Sequence, residues 1–145
     1  MSTAVDLCWS RLANEEGVKR FAYNDATDKR VTCQPGGNLT IAEGVNLETG
    51  LDDAEIAWLT QHRLSLVDAQ IQQYDWYART DPVRQSALLD LAFNLGINGL
   101  LHFPKMLSAV LAKDWPTAAA ELRNSKANKQ EPRRIDILAR ILEGG

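Results

Sequence analysis

Residues 81–96 read DPVRQSALLDLAFNLG and carry the signals of one helix from its first residue to its last. Asp81 followed by Pro82 is a strong helix start, because aspartate caps the free N–H groups of a first turn and proline is tolerated there. Gly96 ends the segment. Between these ends the apolar residues recur three and four apart: Ala87, Leu88, Leu91, Ala92 and Leu95. So wide an apolar face predicts a central, largely buried helix.

Before this helix the sequence pattern changes twice. Asp52 and Glu55 form a capping box, and the apolar residues that follow predict a long helix over about residues 52–78. Short β-type runs alternate with turn residues over about residues 16–50, which predicts a small, irregular β-hairpin lobe. A short helix within residues 1–15 comes first.

After the central helix the chain is divided into shorter helices. Turn and proline signals mark the divisions, at Asn98-Gly99, Pro104, Asp114 to Pro116 and Pro132. The order of helix, small sheet and further helices predicts a mostly helical α+β fold in a single domain. Residues 81–145 together with 1–15 are expected to form a helical lobe, which the long helix joins to the hairpin lobe.

Charge and apolar patterning exclude two classes of partner. The net charge of −3 and the pI near 5.4 argue against nucleic-acid binding, which needs clustered positive charge. Asp6 and Arg11 interrupt the apolar residues of the N-terminal segment, so the sequence predicts neither a signal peptide nor stable insertion into a membrane.

The cysteines and tryptophans have structural interpretations. Cys8 and Cys33 are too few for a disulfide framework and are expected to be free thiols, although sequence alone leaves their pairing open. No spacing typical of metal ligands is present, so no metal and no cofactor is expected. The four tryptophans are expected to pack in the core or between lobes rather than to bind ligand: Trp9, Trp58, Trp76 and Trp115.

Two carboxylates flank the point where the first helix gives way to the hairpin, Glu16 and Asp25. Cleavage of a glycosidic bond needs such a pair, one group protonated to donate to the leaving oxygen and the other ionised. Taken alone, however, two acidic residues at this spacing are more often solvated surface charges.

Four separated sequence motifs favour a catalytic role for Glu16 and Asp25 over solvated surface charges. They are Glu16-Gly17 with Phe21 to Asp25, Thr40-Ile41 with Gly44, the segment 91–107, and Ser125 to Arg134. In this order they resemble the phage-type lysozymes, whose pattern runs Glu-Gly, Ala-Tyr-x-Asp, Thr-Ile-Gly-x-Gly, a central helix, and a closing series of Ser, Gln, Pro and Arg. The resemblance covers most of the chain and implies a two-lobed lysozyme-like fold.

The resemblance also implies residue roles. Glu16 matches the general acid, Asp25 the second catalytic carboxylate, and Thr40 the hydroxyl that helps to place the attacking water. Arg134 matches a basic residue near the acid. The sugar-binding cleft is implied at Arg134 and at four further positions: Gly44, Asn46, Phe93 and Asn94.

The implied activity is hydrolysis of the β-1,4 bond between N-acetylmuramic acid and N-acetylglucosamine in peptidoglycan. The implied setting is an endolysin: a monomer made in the host cytoplasm that depends on a holin to reach the wall and lyse the cell. Two alternatives stay open, a catalytically inactive lysozyme-fold module that binds glycan or protein, and a lysozyme associated with the virion tail.

Departures from the family pattern leave questions open. Ala42 replaces an expected glycine, which costs of order 1 kcal/mol if its φ is positive. Glu43 adds a carboxylate that either contacts substrate or, as we prefer, is a solvated charge. The long interval between Asp25 and Thr40 makes Asp28 a rival for the second carboxylate, although Asp25 fits the motif better. Sequence leaves inversion or retention at the sugar carbon open.

Overall fold

The computed structural model describes residues 2–15, 17–32 and 36–145, and the fold is α+β and mostly helical, as predicted. The helices in this part of the chain are α1 Thr3–Glu15, α2 Asp53–Ile71, α3 Asp75–Ala78, α4 Pro82–Leu95, α5 Ile97–Leu101, α6 Pro104–Leu111, α7 Trp115–Arg123, α8 Lys126–Gln130 and α9 Pro132–Gly144. The strands are β1 Tyr23–Asn24, β2 Lys29–Arg30, β3 Thr40–Ile41 and β4 Val45–Asn46, followed by a 3-10 turn over Leu47–Thr49.

Helix α4 is the centre of the helical lobe. The Asp81 carboxylate accepts the backbone N–H of Arg84, and Pro82 occupies the first turn, so the predicted start is confirmed. Every residue from 86 to 92 is buried. Helices α1, α2, α5 and α9 all pack against α4, which explains why its apolar face is so wide.

The predicted single helix over residues 52–78 is wrong, because two helices, α2 and α3, occupy that range. Between them Tyr74 adopts an extended conformation, with φ −96° and ψ 127°. This break lets the Tyr74 and Trp76 rings stack at 5.2 Å between centroids. It also turns Tyr77 into the core, where its hydroxyl donates to the carboxylate of Asp68. Aromatic packing therefore overrides the helical pattern.

The hairpin lobe, described over residues 17–32 and 36–50, is built differently. Strands β1 and β2 pair over two residues each, as do β3 and β4. None of the described residues of this lobe is buried. Polar contacts hold it instead: the Arg30 guanidinium lies 3.9 Å from the centre of the Phe21 ring and donates to the Glu48 carbonyl oxygen at 2.8 Å.

The tryptophans divide between core and surface. Trp76 is buried, and Trp9 and Trp115 pack partly buried against the core, as expected. Trp58 is 63% exposed and stacks on His62, so core packing is the wrong interpretation for this residue. The reason is its position on α2, off the buried stripe of Leu64, Asp68 and Ile71.

Cys8 is a buried free thiol, while Cys33 lies outside the described residues. Across the described ranges, no helix has both the length and the apolarity needed to cross a membrane.

Candidate active site

A cavity of about 510 Å³ lies where the hairpin lobe, α2 and the helical lobe meet, and is called the cleft below. Its walls combine aromatic and aliphatic surface with a few polar groups: Trp9, Leu12, Ala13, Gly17, Val18, Lys19, Tyr23, Asp53, Ile56, Ala57, Thr60, Phe93, Asn94 and Arg134. A concave surface of this composition is typical of a small-molecule or sugar site, because apolar faces supply contact area and polar groups fix orientation.

Three residues predicted from sequence line the cleft together. Phe93 and Asn94 lie in the last turn of α4, and Phe93 is 39% exposed there. Arg134 lies in the first turn of α9 and reaches the same cavity. The central helix and the last helix thus converge on one wall.

The predicted acid, Glu16, lies outside the described residues. Its sequence neighbours are described: α1 ends at Glu15, and Gly17 lines the cleft with a φ of 72°. The left-handed conformation of Gly17 lets the chain turn sharply from α1 toward the hairpin lobe.

Four other predicted residues are absent from the lining of the cleft as described. Asp25 lies exposed in the turn between β1 and β2. Thr40 is exposed on β3, where its hydroxyl donates to the Asn38 carbonyl oxygen at 3.1 Å. Gly44 closes the β3–β4 turn, and the Asn46 side chain accepts the Glu48 backbone N–H at 2.9 Å. Their roles toward substrate stay predictions.

The rival carboxylate, Asp28, is engaged elsewhere. Its Oδ1 lies 2.7 Å from Nζ of Lys19, a residue that lines the cleft. The hydrogen bond to Asp28 raises the pKa of Lys19 above its usual value. Lys19 also lies 5.5 Å from the centre of the Tyr23 ring. Asp28 therefore forms a surface ion pair with a cleft lysine, and Asp25 is exposed to water.

Beneath the cleft wall lies a buried charge cluster, called the Arg–Asp–Arg cluster. The Asp90 side chain has no exposed surface and receives an arginine on each oxygen. Arg134 Nε donates to Oδ1 at 3.2 Å, and Arg11 Nη2 donates to Oδ2 at 3.0 Å. Arg11 Nη2 also donates to the Ser86 carbonyl oxygen at 2.8 Å. The cluster ties α1, α4 and α9 together through ionised groups.

A second set of contacts joins this cluster to the cleft surface. Glu131 Oε2 accepts from Arg134 Nη1 at 3.1 Å and from Asn94 Nδ2 at 3.2 Å. Two cleft residues therefore share one carboxylate oxygen, which fixes their relative position.

Comparison with known proteins decides the family. The model of the phage lysozyme family matches residues 13–140. The chain belongs to the phage lysozyme family. Two relatives from Dictyostelium discoideum are similar over 69 residues, "Probable T4-type lysozyme 1" at 33% identity and "Probable T4-type lysozyme 2" at 35%. Each match covers 48% of this chain and 41% of the relative, so the chain spans less than half of either relative's length.

In this phage lysozyme family member, the residues that sequence reasoning missed are Asp90 and Arg11. The detectable signal was a carboxylate in the middle of a helix otherwise predicted to be buried, because a buried charge needs a partner. Ser86, Asp90 and Asn94 are four apart and share one face of α4, which leads from the core to the cleft. The partner of Asp90 on α1 lies 79 positions away in sequence, so its identity required the fold.

The same cluster surrounds the thiol of Cys8. Burial, together with the nearby Asp90 carboxylate, raises the pKa of Cys8 to about 12, although Arg11 and Arg134 act in the opposite direction. Cys8 is therefore a neutral packing residue at physiological pH and not a nucleophile in this lysozyme family member.

Proposed function

We propose that the chain is a muramidase that hydrolyses the β-1,4 bond between N-acetylmuramic acid and N-acetylglucosamine in bacterial peptidoglycan. The observation that carries this proposal is the cleft in a chain of the phage lysozyme family, with Phe93, Asn94 and Arg134 on one wall and Gly17, the neighbour of Glu16, on another. An aromatic surface suits the apolar face of a sugar ring, and the amide and guanidinium groups suit its polar substituents.

Glu16 is the proposed general acid, which must be protonated when it donates to the leaving oxygen. A nearby arginine favours the ionised form of a carboxyl group. Arg134 therefore does not keep the acid protonated. Its proposed work is to orient the carboxylate and to stabilise it once the proton has been given up.

Asp25 and Thr40 are proposed to position the attacking water. A carboxylate accepts hydrogen bonds from water, and a threonine hydroxyl both donates and accepts, so the two can hold one water between them. The exposure of both side chains and the engagement of Asp28 with Lys19 support Asp25 in this role. Direct attack by water inverts the configuration at the sugar carbon.

The proposed setting is an endolysin that acts as a monomer on the cell wall of its host. In that setting the enzyme is made in the host cytoplasm, passes the inner membrane through holin lesions, and causes lysis. A tail-associated lysozyme shares the chemistry, and detection of the chain in purified virions would favour that setting instead.

The inactive-module alternative rests on the Ala42-Glu43 segment. Ala42 adopts a φ of 52°, the strained conformation that the missing glycine would have accommodated. The turn nevertheless closes, since Thr40 still pairs with Asn46 and Ile41 with Val45. Glu43 is exposed in that turn, in agreement with a solvated charge. The substitution of Ala42 for glycine therefore leaves the hairpin intact, and activity assays decide between the enzyme and the inactive module.

Turbidity of cells with a permeabilised outer membrane tests the activity. The native chain is expected to clear the suspension, while Glu16→Gln is expected to leave it turbid. A native chain that binds purified peptidoglycan without clearing the suspension would establish the binding module.

The stereochemistry is tested by NMR of the first-formed product. An α product is expected from inversion. A retained β product would make the second carboxylate a nucleophile and would remove the water-positioning role from Thr40.

A further inference from the structure

We infer that Asp90 and Arg11 are positioning residues of the cleft: the buried Arg–Asp–Arg cluster fixes the Arg134 guanidinium and sets the positive charge that it presents to the catalytic acid. The inference rests on the proposed function for its link to catalysis. The positioning itself rests on the described contacts alone.

The geometry leaves Arg134 little freedom. Its Nε donates to Asp90 at 3.2 Å and its Nη1 donates to Glu131 at 3.1 Å, so two different nitrogens of the guanidinium are bound. The Asp90 side chain has no exposed surface, and that of Arg134 is 12% exposed. A guanidinium bound at two edges by carboxylates is fixed in orientation as well as in place.

Arg11 completes the charge balance. A carboxylate as deeply buried as Asp90 is costly unless its charge is compensated. Arg11 supplies this compensation through Nε and Nη2, both on Oδ2, and is itself anchored on Ser86. The two arginines and Asp90 sum to one positive charge, and the Glu131 carboxylate pairs with the Arg134 side of it. Arg11 is absent from the lining of the cleft as described, so it acts on the cleft only through Asp90.

The electrostatic consequence has a definite sign. Removing the charge of Asp90 makes the cluster more positive, which favours the ionised form of a nearby acid and lowers its pKa. Removing the charge of Arg11 does the opposite. The other charged side chains that line the cleft or the neighbouring pocket around Arg134 are unchanged by either substitution: Glu15, Lys19, Asp53, Glu131 and Arg133.

The first test measures kcat, KM and the pH profile of peptidoglycan hydrolysis for Asp90→Asn, Arg11→Gln and the charge-conserving control Arg11→Lys. The alkaline limb of kcat/KM reports the pKa of the general acid. We expect it to move to lower pH in Asp90→Asn and to higher pH in Arg11→Gln, each by about 0.5 pH units or more. It should stay in place in Arg11→Lys. In Asp90→Asn kcat should fall about tenfold or more, with KM within about twofold.

A purely structural role predicts something else. Both neutralising variants would lose stability, and the alkaline limb would stay fixed or move the same way in both. That result overturns the inference. If Asp90→Asn does not fold, the pair Arg11→Gln and Arg11→Lys decides by the same criterion.

The second test needs no activity. The Arg134 Nε–H signal in ¹⁵N NMR, assigned by its loss in Arg134→Lys, is expected to be sharp and slow to exchange in the native chain and in Arg11→Lys. It is expected to broaden in Asp90→Asn. An unchanged signal in a folded Asp90→Asn variant contradicts the positioning role. An inactive native chain with the expected signals would instead contradict the proposed function and leave the positioning of Arg134 established.

Discussion

The two lobes of the molecule are stabilised internally by different kinds of contact. In the helical lobe α4 is buried along seven consecutive residues, 86–92, and its partner helices close around it. In the hairpin lobe the described residues contribute nothing to the core, and each pair of strands spans two residues per strand. Free energy of folding scales with the apolar area removed from water, so the helical lobe must supply nearly all of it.

The contrast explains how the cleft is built. The wall formed by Phe93, Asn94 and Arg134 stands on buried helices and on the Arg–Asp–Arg cluster, so its groups are fixed before ligand arrives. The opposite wall carries Lys19 and Tyr23, which are held by surface contacts. The cleft therefore combines a wall that is held by buried contacts with residues that are held by surface contacts.

The largest expected effect compares one leucine in the core with one isoleucine in the hairpin lobe. Leu88→Ala removes a side chain with no exposed surface and should lower the free energy of unfolding by about 2–5 kcal/mol. Ile41→Ala changes a residue that is 57% exposed and should cost under about 0.5 kcal/mol. Urea denaturation measures both. Equal losses would mean that the hairpin lobe carries stability after all.

A smaller difference in stability is expected between the phenylalanine variants of two tyrosines. Tyr77→Phe removes a buried hydroxyl and leaves the Asp68 carboxylate without this donor, so unfolding should be easier by about 1–3 kcal/mol. Tyr23→Phe, at an exposed position in the hairpin lobe, should change stability by under about 0.5 kcal/mol. Thermal unfolding of the two variants provides the measurement. A Tyr77→Phe protein as stable as the native chain would show that the buried hydrogen bond has no net value.

The buried Cys8 thiol should also make the free energy of unfolding depend on pH in the alkaline range. In the folded chain the pKa of Cys8 is raised to about 12, whereas in the unfolded chain it is near the ordinary value of 9.0. The contribution of the buried thiol is therefore complete below pH 9 and is lost as pH rises toward 12, by about 1.4 kcal/mol per pH unit. The stability advantage of the native chain over Cys8→Ala, measured by urea denaturation from pH 8 to 11, should narrow in that window. A stability difference that does not change with pH would mean that Cys8 has the same pKa in the folded and unfolded chains.

The smallest effect lies in the hairpin lobe. Ala42→Gly relieves a φ of 52° and should stabilise the β3–β4 turn by about 0.5–1 kcal/mol. Hydrogen exchange of the amides of β3 and β4 should slow, while that of α4 should be unchanged. Slower exchange in both places would mean that the two lobes unfold as one cooperative unit.

Local sequence signals correctly predicted where α2 and α4 begin. The start of α4 at Asp81-Pro82 and the capping box of α2 at Asp52 depend on neighbouring residues alone, and both are confirmed. The break between α2 and α3 was missed because the cause is tertiary: Tyr74, Trp76 and Tyr77 pack where a continuous helix would not place them.

The candidate site was predictable in part, for the same reason. Phe93, Asn94 and Arg134 belong to contiguous motifs, and the fold brings them to one cavity. Arg11 and Asp90 belong to no such motif, and only the packing of α1 against α4 shows that they meet. The predicted roles of Glu16, Asp25, Thr40, Gly44 and Asn46 toward substrate rest on the family pattern.

The most direct test of the account is the release of new reducing ends from purified peptidoglycan by three proteins: the native chain, Glu16→Gln, and Glu121→Gln on α7 as a matched control outside the cleft lining. The native chain and Glu121→Gln are expected to release reducing ends at similar rates. Glu16→Gln is expected to be slower by about 10²-fold or more, because an amide cannot donate the proton that the leaving oxygen needs. Equal rates for Glu16→Gln and the native chain would contradict the role of Glu16 as general acid.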